Sequence, residues 1–247
     1  MKKYVLTWHD EFDYTGKLDE TKWSYDVGAF LWGNGERQYY TEGDRNAKVG
    51  DGVLTIEGRI EPYDQSPYTS ARVTTYGKKH FQYGRLEVMA KIPTETGTWP
   101  AIWMLPIDWK EKNAPWPLCG EIDIMEHVTH LFDTIHVSLH TALFNHVDRT
   151  QRTHFEKIDG ITKDFHEFAF DWTPEYIEFF LDGKTFAKFR KDDPGYTQDE
   201  TGWPFDKPYY LILNEAIGGT WGGHVEESEY PSKFQIAYVR YYDIVEE

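Results

Sequence analysis

Residues 176–190 read YIEFFLDGKTFAKFR, in which two alternating polar and apolar runs flank an Asp-Gly pair. Alternation with a period of two is typical of half-buried strands, and Asp-Gly between two such runs is a strong hairpin signal. The same alternation recurs in residues 53–57, 85–92, 167–172 and 234–242. Many short strands at close spacing, with no sustained helical stripe, predict an all-β sandwich or jelly roll. No repeat and no linker divides the chain, so we expect one domain over residues 1–247.

Charge and aromatic content narrow the class of partner. The 247 residues contain 26 Lys+Arg and 42 Asp+Glu, a formal net charge of −16. This balance argues against nucleic acid, anionic membranes and polyanionic substrates, so a neutral partner is expected. The 10 Trp, 17 Tyr and 15 Phe exceed what a core needs and suit stacking on sugar rings. The apolar run near the N-terminus is too short for a signal peptide, which leaves open a mature secreted form and a protein that stays inside the cell.

Three carboxylates stand close together in residues 120–127, which read GEIDIMEH. On a helix Glu121 and Glu126 would point about 140° apart, and on a regular strand they would face opposite sides. One extra residue near Ile124 and Met125, a β-bulge, would return Glu126 to the face of Glu121 and Asp123. The glutamate Cα atoms would then lie roughly 13 Å apart. Their carboxyl groups could approach to roughly 5–5.5 Å, the separation in retaining glycosidases.

Other interpretations of this stretch stay open at this point. The carboxylates could form a solvated polar face of a strand whose apolar residues enter the core. A metal site is also conceivable, although hard cations usually draw their oxygen ligands from loops. Two loop-like segments, residues 28–40 and 106–119, are rich in glycine or proline and in aromatic residues, and we expect them to form the rim of a site.

The carboxylate stretch resembles the active-site strand of glycoside hydrolase family 16, which reads Glu-x-Asp-x-x-Glu in its bulged branch. Further stretches across nearly the whole chain resemble bacterial laminarinases of that family. They are WHDEF (8–12), QYYT (38–41), YTSAR (68–72), YGR (83–85), GTWPAIWML (97–105), WTP (172–174) and GGTWGG (218–223). The resemblance implies a concanavalin A-like β-jelly-roll sandwich of two antiparallel sheets with a concave substrate cleft. It also implies a retaining endo-β-1,3-glucanase that acts on laminarin-like glucans by double displacement.

The resemblance assigns roles position by position. It implies that Glu121 is the nucleophile, Glu126 the general acid/base and Asp123 the supporting carboxylate. His127 follows Glu126 in the chain and should face away from the cleft. The implied substrate-binding residues are Trp99, Trp103, Trp116, Arg72, Asn34 and His140, the last on the neighbouring strand near the acid/base.

Two positions depart from the family pattern. Many members carry an aspartate in the last strand that helps to bind a structural calcium, whereas residues 236–240 here read IAYVR. Ala237 offers no side-chain oxygen, so we expect no metal and no required cofactor. Glu215 stands where an apolar residue is more usual.

More than one function is compatible with the sequence at this point. A jelly roll can also be a non-catalytic β-glucan-binding module, because fold does not fix function. A related bulged-motif enzyme acting on agar or on mixed-linkage β-1,3-1,4-glucan is a further alternative. The resemblance also implies secretion, and we expect a monomer.

Overall fold

The computed structural model describes residues 2–112 and 114–246 of one chain. Met1, Asn113 and Glu247, which belong to the domain predicted over 1–247, lie outside the described residues. Strands dominate the described part, in agreement with the all-β prediction. In chain order they are β1 (Lys2–Asp10), β2 (Ser24–Tyr25), β3 (Gln38–Tyr40), β4 (Ala47–Gly50), β5 (Val53–Gly58), β6 (Tyr68–Ser70), β7 (Arg72–Thr74), β8 (Gly84–Lys91), β9 (Thr98–Pro106), β10 (Glu121–Glu126), β11 (Thr134–His140), β12 (Arg152–Lys157), β13 (His166–Trp172), β14 (Tyr176–Leu181), β15 (Lys184–Arg190), β16 (Tyr209–Ile217) and β17 (Ser232–Glu246).

Two large antiparallel sheets form the sandwich. The eight-stranded sheet has the order β15-β14-β13-β8-β17-β5-β4, and β1 pairs with the C-terminal part of β17. The seven-stranded sheet has the order β12-β11-β10-β9-β16-β7-β2. A short parallel pair joins β3 to β6. The predicted two-sheet sandwich is confirmed, and β10 is an inner strand, the third of the seven-stranded sheet.

The Asp-Gly pair forms the predicted hairpin between β14 and β15. Tyr176 pairs with Arg190 at one end and Leu181 with Lys184 at the other. Asp182 and Gly183 both have positive φ values, 49° and 73°. Two such residues in a two-residue loop match the right-handed twist of the strands, which is why Asp-Gly is favoured there.

The main core lies between the two sheets. Alternate residues of the strands point inward, so the period-2 pattern of the sequence becomes one buried layer. Inward side chains of the central strands include Val88, Ile102, Ile122, Leu211 and Ile236, all fully buried. The other face of the seven-stranded sheet, which we call the open face, carries the side chains that alternate with these.

Helices in the described residues are short. The two α-helical turns are α1 (Asp108–Glu111) and α2 (Gly219–Gly222), and 3-10 turns occur at Leu31–Gly33, Thr129–Leu131 and Glu227–Glu229. The first α-helical turn and the first 3-10 turn fall in the two predicted rim segments. Leu31 and Trp32 both have left-handed φ values, 56° and 43°, which is uncommon for bulky residues.

Candidate active site

A β-bulge in β10 brings the three carboxylates to the open face. Glu121 pairs with His140 of β11, whereas Glu126 pairs with His136. Five steps along β10 therefore match four steps along β11, and the shift against β9 lies between Asp123 and Met125. The extra residue leaves Met125 buried together with Ile124. The bulge lies where the sequence predicts it.

Each glutamate is oriented by a tryptophan. The Trp116 indole Nε1 donates a hydrogen bond to Glu121 Oε2 at 3.1 Å. The Trp99 indole Nε1 donates one to Glu126 Oε1 at 3.0 Å. An indole N–H can only donate, so the glutamate oxygen is the acceptor in each contact. Two of the three predicted tryptophans therefore contact the glutamates directly.

Asp123 and His140 lie beneath this pair. Asp123 is almost fully buried, and its Oδ2 lies 3.2 Å from His140 Nε2. The same nitrogen lies 3.9 Å from Glu121 Oε1. His140 therefore sits beside Asp123 and Glu121. His127, which follows Glu126, is fully buried on the opposite side, as predicted.

Burial raises the pKa values of all three acids. Burial, followed by the charge of Asp123, raises the pKa of both Glu121 and Glu126 to about 8. Burial raises the pKa of Asp123 well above its usual range. Three acids in such a site cannot all be ionised at neutral pH. The cluster therefore keeps at least one proton at neutral pH, as the acid of a glycosidase pair requires.

Trp103 and Arg72 form a layer on the open face beside the carboxylates. The Arg72 guanidinium lies 4.7 Å from the ring centroid of Trp103 and 4.8 Å from that of Trp32. Its Nε lies 3.1 Å from Asp26 Oδ2. The Trp103 Nε1 donates to Asn214 Oδ1 at 2.6 Å. Arg72 is thus held rigidly by two rings and an ion pair, which suits an arginine that presents its remaining N–H groups to a ligand.

Asn34 belongs to a polar network that connects the rim loop to the sheet. Its Nδ2 donates to Glu36 Oε1 at 3.3 Å, and Glu36 Oε2 accepts from Gln38 and Tyr40. Tyr40 accepts in turn from Asn214, the partner of Trp103. Asn34 is therefore joined to the site through three side chains, and its contact with a sugar stays a prediction.

Several open-face residues were missed by sequence reasoning. His146 packs against the Trp116 ring with centroids 4.8 Å apart, and Trp221 contacts the edges of Trp99 and His136. His136 is the cross-strand partner of Glu126. These neighbours depend on strand register and on loops far apart in sequence. The sequence carries one signal that could have found His136. In residues 135–141, IHVSLHT, His136 and His140 are four apart and therefore share one face of a strand.

Among the described residues, the side chains that could together hold a metal ion belong to the same cluster. One ligand atom each of Glu121, Asp123 and His140 lie within 4.8 Å of one another. No second grouping of three such ligands occurs among residues 2–112 and 114–246.

An antiparallel two-sheet sandwich with paired, tryptophan-oriented glutamates on its open face defines a sandwich-type glycoside hydrolase. Residues 34–240 match the family described as Glycosyl hydrolases family 16, and the chain belongs to that family. A beta-glucanase of Rhodothermus marinus is 48% identical over 98% of this chain and 86% of its own length. The X-ray structure of the laminarinase from Rhodothermus marinus superposes with a TM-score of 0.93 at 46% identity, and the match covers all of both chains. A glucan endo-1,3-beta-glucosidase A1 of Niallia circulans is 35% identical over 96% of this chain but only 37% of its own length.

Proposed function

We propose that the protein is a retaining endo-β-1,3-glucanase that cleaves laminarin-like β-glucans. The observation that carries the proposal is the bulge in β10, because it places Glu121, Asp123 and Glu126 on one open face. The beta-glucanase and laminarinase activities of the relatives support the substrate class. An exposed sheet face flanked by loops suits internal binding of a long chain better than an enclosed pocket does.

In the first step, the Glu121 carboxylate attacks the anomeric carbon while Glu126 protonates the departing glycosidic oxygen. The bond to the leaving sugar breaks, and an ester between Glu121 and the glucosyl unit forms. The Trp116 N–H holds Glu121 Oε2 in place, which leaves Oε1 to attack. A protonated Asp123 stabilises the negative charge on Glu121 before the attack.

In the second step, Glu126, now ionised, removes a proton from water, which attacks the same carbon from the opposite side. The ester breaks, Glu121 recovers its carboxylate and Glu126 recovers its proton. The configuration of the anomeric carbon is inverted twice and is therefore retained overall. Both glutamates return to their starting protonation states at the end of each cycle. Trp99 orients Glu126 through both of its protonation states by donating to Oε1.

The further assignments rest on charge and on the residues described. The net charge of −16 supports a neutral glucan as partner and disfavours sulfated polysaccharides. We propose that catalysis needs no cofactor and that the chain is a monomer. No described helix combines the length and apolar character needed to cross a bilayer. We propose an extracellular site of action, because polymeric glucans of this type are met outside the cell.

The test is product analysis on laminarin, lichenan and agarose. We expect laminarin to be cut internally into short oligosaccharides, with rapid loss of viscosity, and agarose to be left intact. Release of glucose alone from chain ends would contradict the endo mode. Binding of laminarin without release of reducing ends would favour the rival function of a β-glucan-binding module, and the ratio of rates on laminarin and lichenan measures mixed-linkage activity.

A further inference from the structure

A row of cross-strand partners connects the predicted acid/base to the edge of the sheet. Glu126 of β10 pairs with His136 of β11, and His136 pairs with Phe155 of β12. Directly opposed residues of neighbouring strands share a face, so Phe155 stands on the open face at the level of Glu126. Two strand spacings place it roughly 10 Å from β10, about the length of two sugar units in a glucan.

Phe155 is exposed, yet its ring is supported. The residue is 61% exposed on β12, the last strand of the sheet. The His136 ring stacks against it with centroids 5.3 Å apart and planes inclined by 26°. His136 is braced by the edge of Trp221 at 5.0 Å, and Trp221 is braced by Trp99 at 5.3 Å. An exposed apolar ring on an edge strand, stacked against a histidine, needs a reason, because edge strands usually carry charge.

The platform formed by Phe155 and His136 suits a neutral sugar. Burial, reinforced by the nearby His130, lowers the pKa of His136 to about 4, so its ring is uncharged at neutral pH. The same row runs from Glu126 through Ala101 and Asn214 to Arg72, three strands away. Glu126 therefore lies between a cationic end and an aromatic end of the open face, and it lies nearer to the aromatic end.

We propose that Phe155, backed by His136, stacks against a glucosyl unit on the leaving-group side of the scissile bond, an inference that rests on the proposed function. The leaving sugar is the one that Glu126 protonates, and the aromatic platform is the nearer end of the row to that residue. A sugar ring presents a flat C–H face of about the area of a phenyl ring, which matches the exposed face of Phe155. The platform would hold the chain in register while the bond two units away breaks.

The experiment measures binding and bond choice separately. Calorimetry follows a β-1,3-linked glucose hexamer binding to Glu121→Ala, in which no turnover occurs, with and without Phe155→Ala. Loss of roughly 50 Å² of apolar contact corresponds to about tenfold weaker binding. Phe155→Tyr retains the ring and should restore the affinity. Phe165→Ala, an exposed phenylalanine beside β13 of the other sheet, is the matched control and should bind as tightly as the parent.

Cleavage of the hexamer labelled at its reducing end gives a readout that general destabilisation would not move. Without the platform, fewer sugars should occupy the leaving-group side, so Phe155→Ala should shift cleavage toward bonds nearer the reducing end. Unchanged affinity and unchanged bond choice, or a shift toward the non-reducing end, would overturn the proposal. Binding of the hexamer that Phe155→Ala weakens, without any hydrolysis by the wild type, would overturn the proposed function while the sugar contact of Phe155 stands, and absence of binding would overturn both.

Discussion

Glu121 and Glu126 carry the same functional group, but their neighbours differ. Burial, followed by the charge of Asp123, raises the pKa of both to about 8, so the pKa values do not separate their roles. Their contacts differ: His140 Nε2 lies 3.9 Å from Glu121 Oε1, whereas no cation occurs among the described contacts of Glu126. A histidine that can donate toward Glu121 suits a nucleophile, and the lack of such a partner suits Glu126 as the acid.

Azide rescue tests this assignment of roles. Glu121→Ala should abolish turnover, because no glycosyl-enzyme ester can form. Glu126→Ala should lose about 10²–10⁴-fold on laminarin and much less on an aryl glycoside whose leaving group departs unaided. Added azide should give the β-glycosyl azide with Glu126→Ala and the α-azide with Glu121→Ala, as identified by NMR. The reverse stereochemistry would show that the roles are exchanged; Glu175→Ala, in an exposed turn of the other sheet, is the control.

The raised pKa of Glu126 predicts a pH dependence. The acid must be protonated, so kcat/KM of the wild type should fall as the pH rises through about 8, the value to which burial and Asp123 raise this carboxyl. Because the cluster titrates as a unit, the measured value belongs to the cluster. Glu126→Ala should lose this alkaline limb on an aryl glycoside. An alkaline limb that persists in the variant would assign it to another group.

Glu215, which departs from the family pattern, faces the interior of the sandwich and is fully buried. It accepts a hydrogen bond from Ser232, and it lies close to Gly58, where a side chain would collide with Ser232. Burial raises the pKa of Glu215 to about 8. The folded state therefore holds a proton that the unfolded chain releases above pH about 4.5, and stability falls as the pH rises from there to about 8.

Replacing Glu215 by glutamine should remove that pH-dependent loss. Glutamine has the shape of the protonated acid but cannot ionise, so Glu215→Gln should stabilise the fold by on the order of 2–4 kcal/mol at pH 8 and little at pH 4. Urea unfolding at both pH values measures the difference, and Glu175→Gln is an exposed control. An equal effect at the two pH values would refute a buried, proton-bearing Glu215.

At the scale of single elements, the bulge in β10 decides which face each carboxylate occupies. Deletion of Met125 restores a regular strand in which the two glutamates are four positions apart and still share a face. We therefore expect the deletion to cost about 2–4 kcal/mol of stability through the lost buried side chain, but to retain activity on an aryl glycoside.

Circular dichroism checks that the deletion variant still forms the sheet. Loss of activity on the aryl substrate in a folded deletion variant would mean that the bulge itself, and not only the face of Glu126, is essential.

Local sequence patterns predicted the strands and turns far better than they predicted which residues meet in space. Alternation located β14 and β15, and Asp-Gly located their turn, because both effects act within a few residues. The parity of the Glu121–Glu126 spacing located the bulge. His136, Trp221 and Phe155 escaped prediction because their meeting depends on the register of β11 and β12 and on the loop that carries α2. Trp99 and Trp103 share a face as their spacing of four implies, but only the fold shows that one contacts Glu126 and the other Asn214.

At the scale of the whole molecule, the sandwich divides its aromatic residues between two tasks. Trp23, Trp172 and Trp203 are fully buried in the core between the sheets. Trp99, Trp103 and Trp116 are half-exposed on the open face of the seven-stranded sheet. The excess of aromatic residues in the composition is therefore explained by two separate layers, one that supports the sheets and one that lies beside the carboxylates.

The two sheets should hold together without a metal ion. Ala237 lies in β17 beside a register shift between Ile236 and Tyr238, and its methyl group cannot ligate calcium. The apolar layer between the sheets is continuous there, so stability should come from burial and not from ion binding. We expect EDTA to change the Tm by no more than about 2 °C and to leave activity on laminarin unchanged. Ala237→Asp, which supplies the missing carboxylate, is the matched variant in which calcium should raise the Tm if the other ligands remain. A fall of many degrees in the wild type, reversed by calcium, would show that other oxygens rebuild the site.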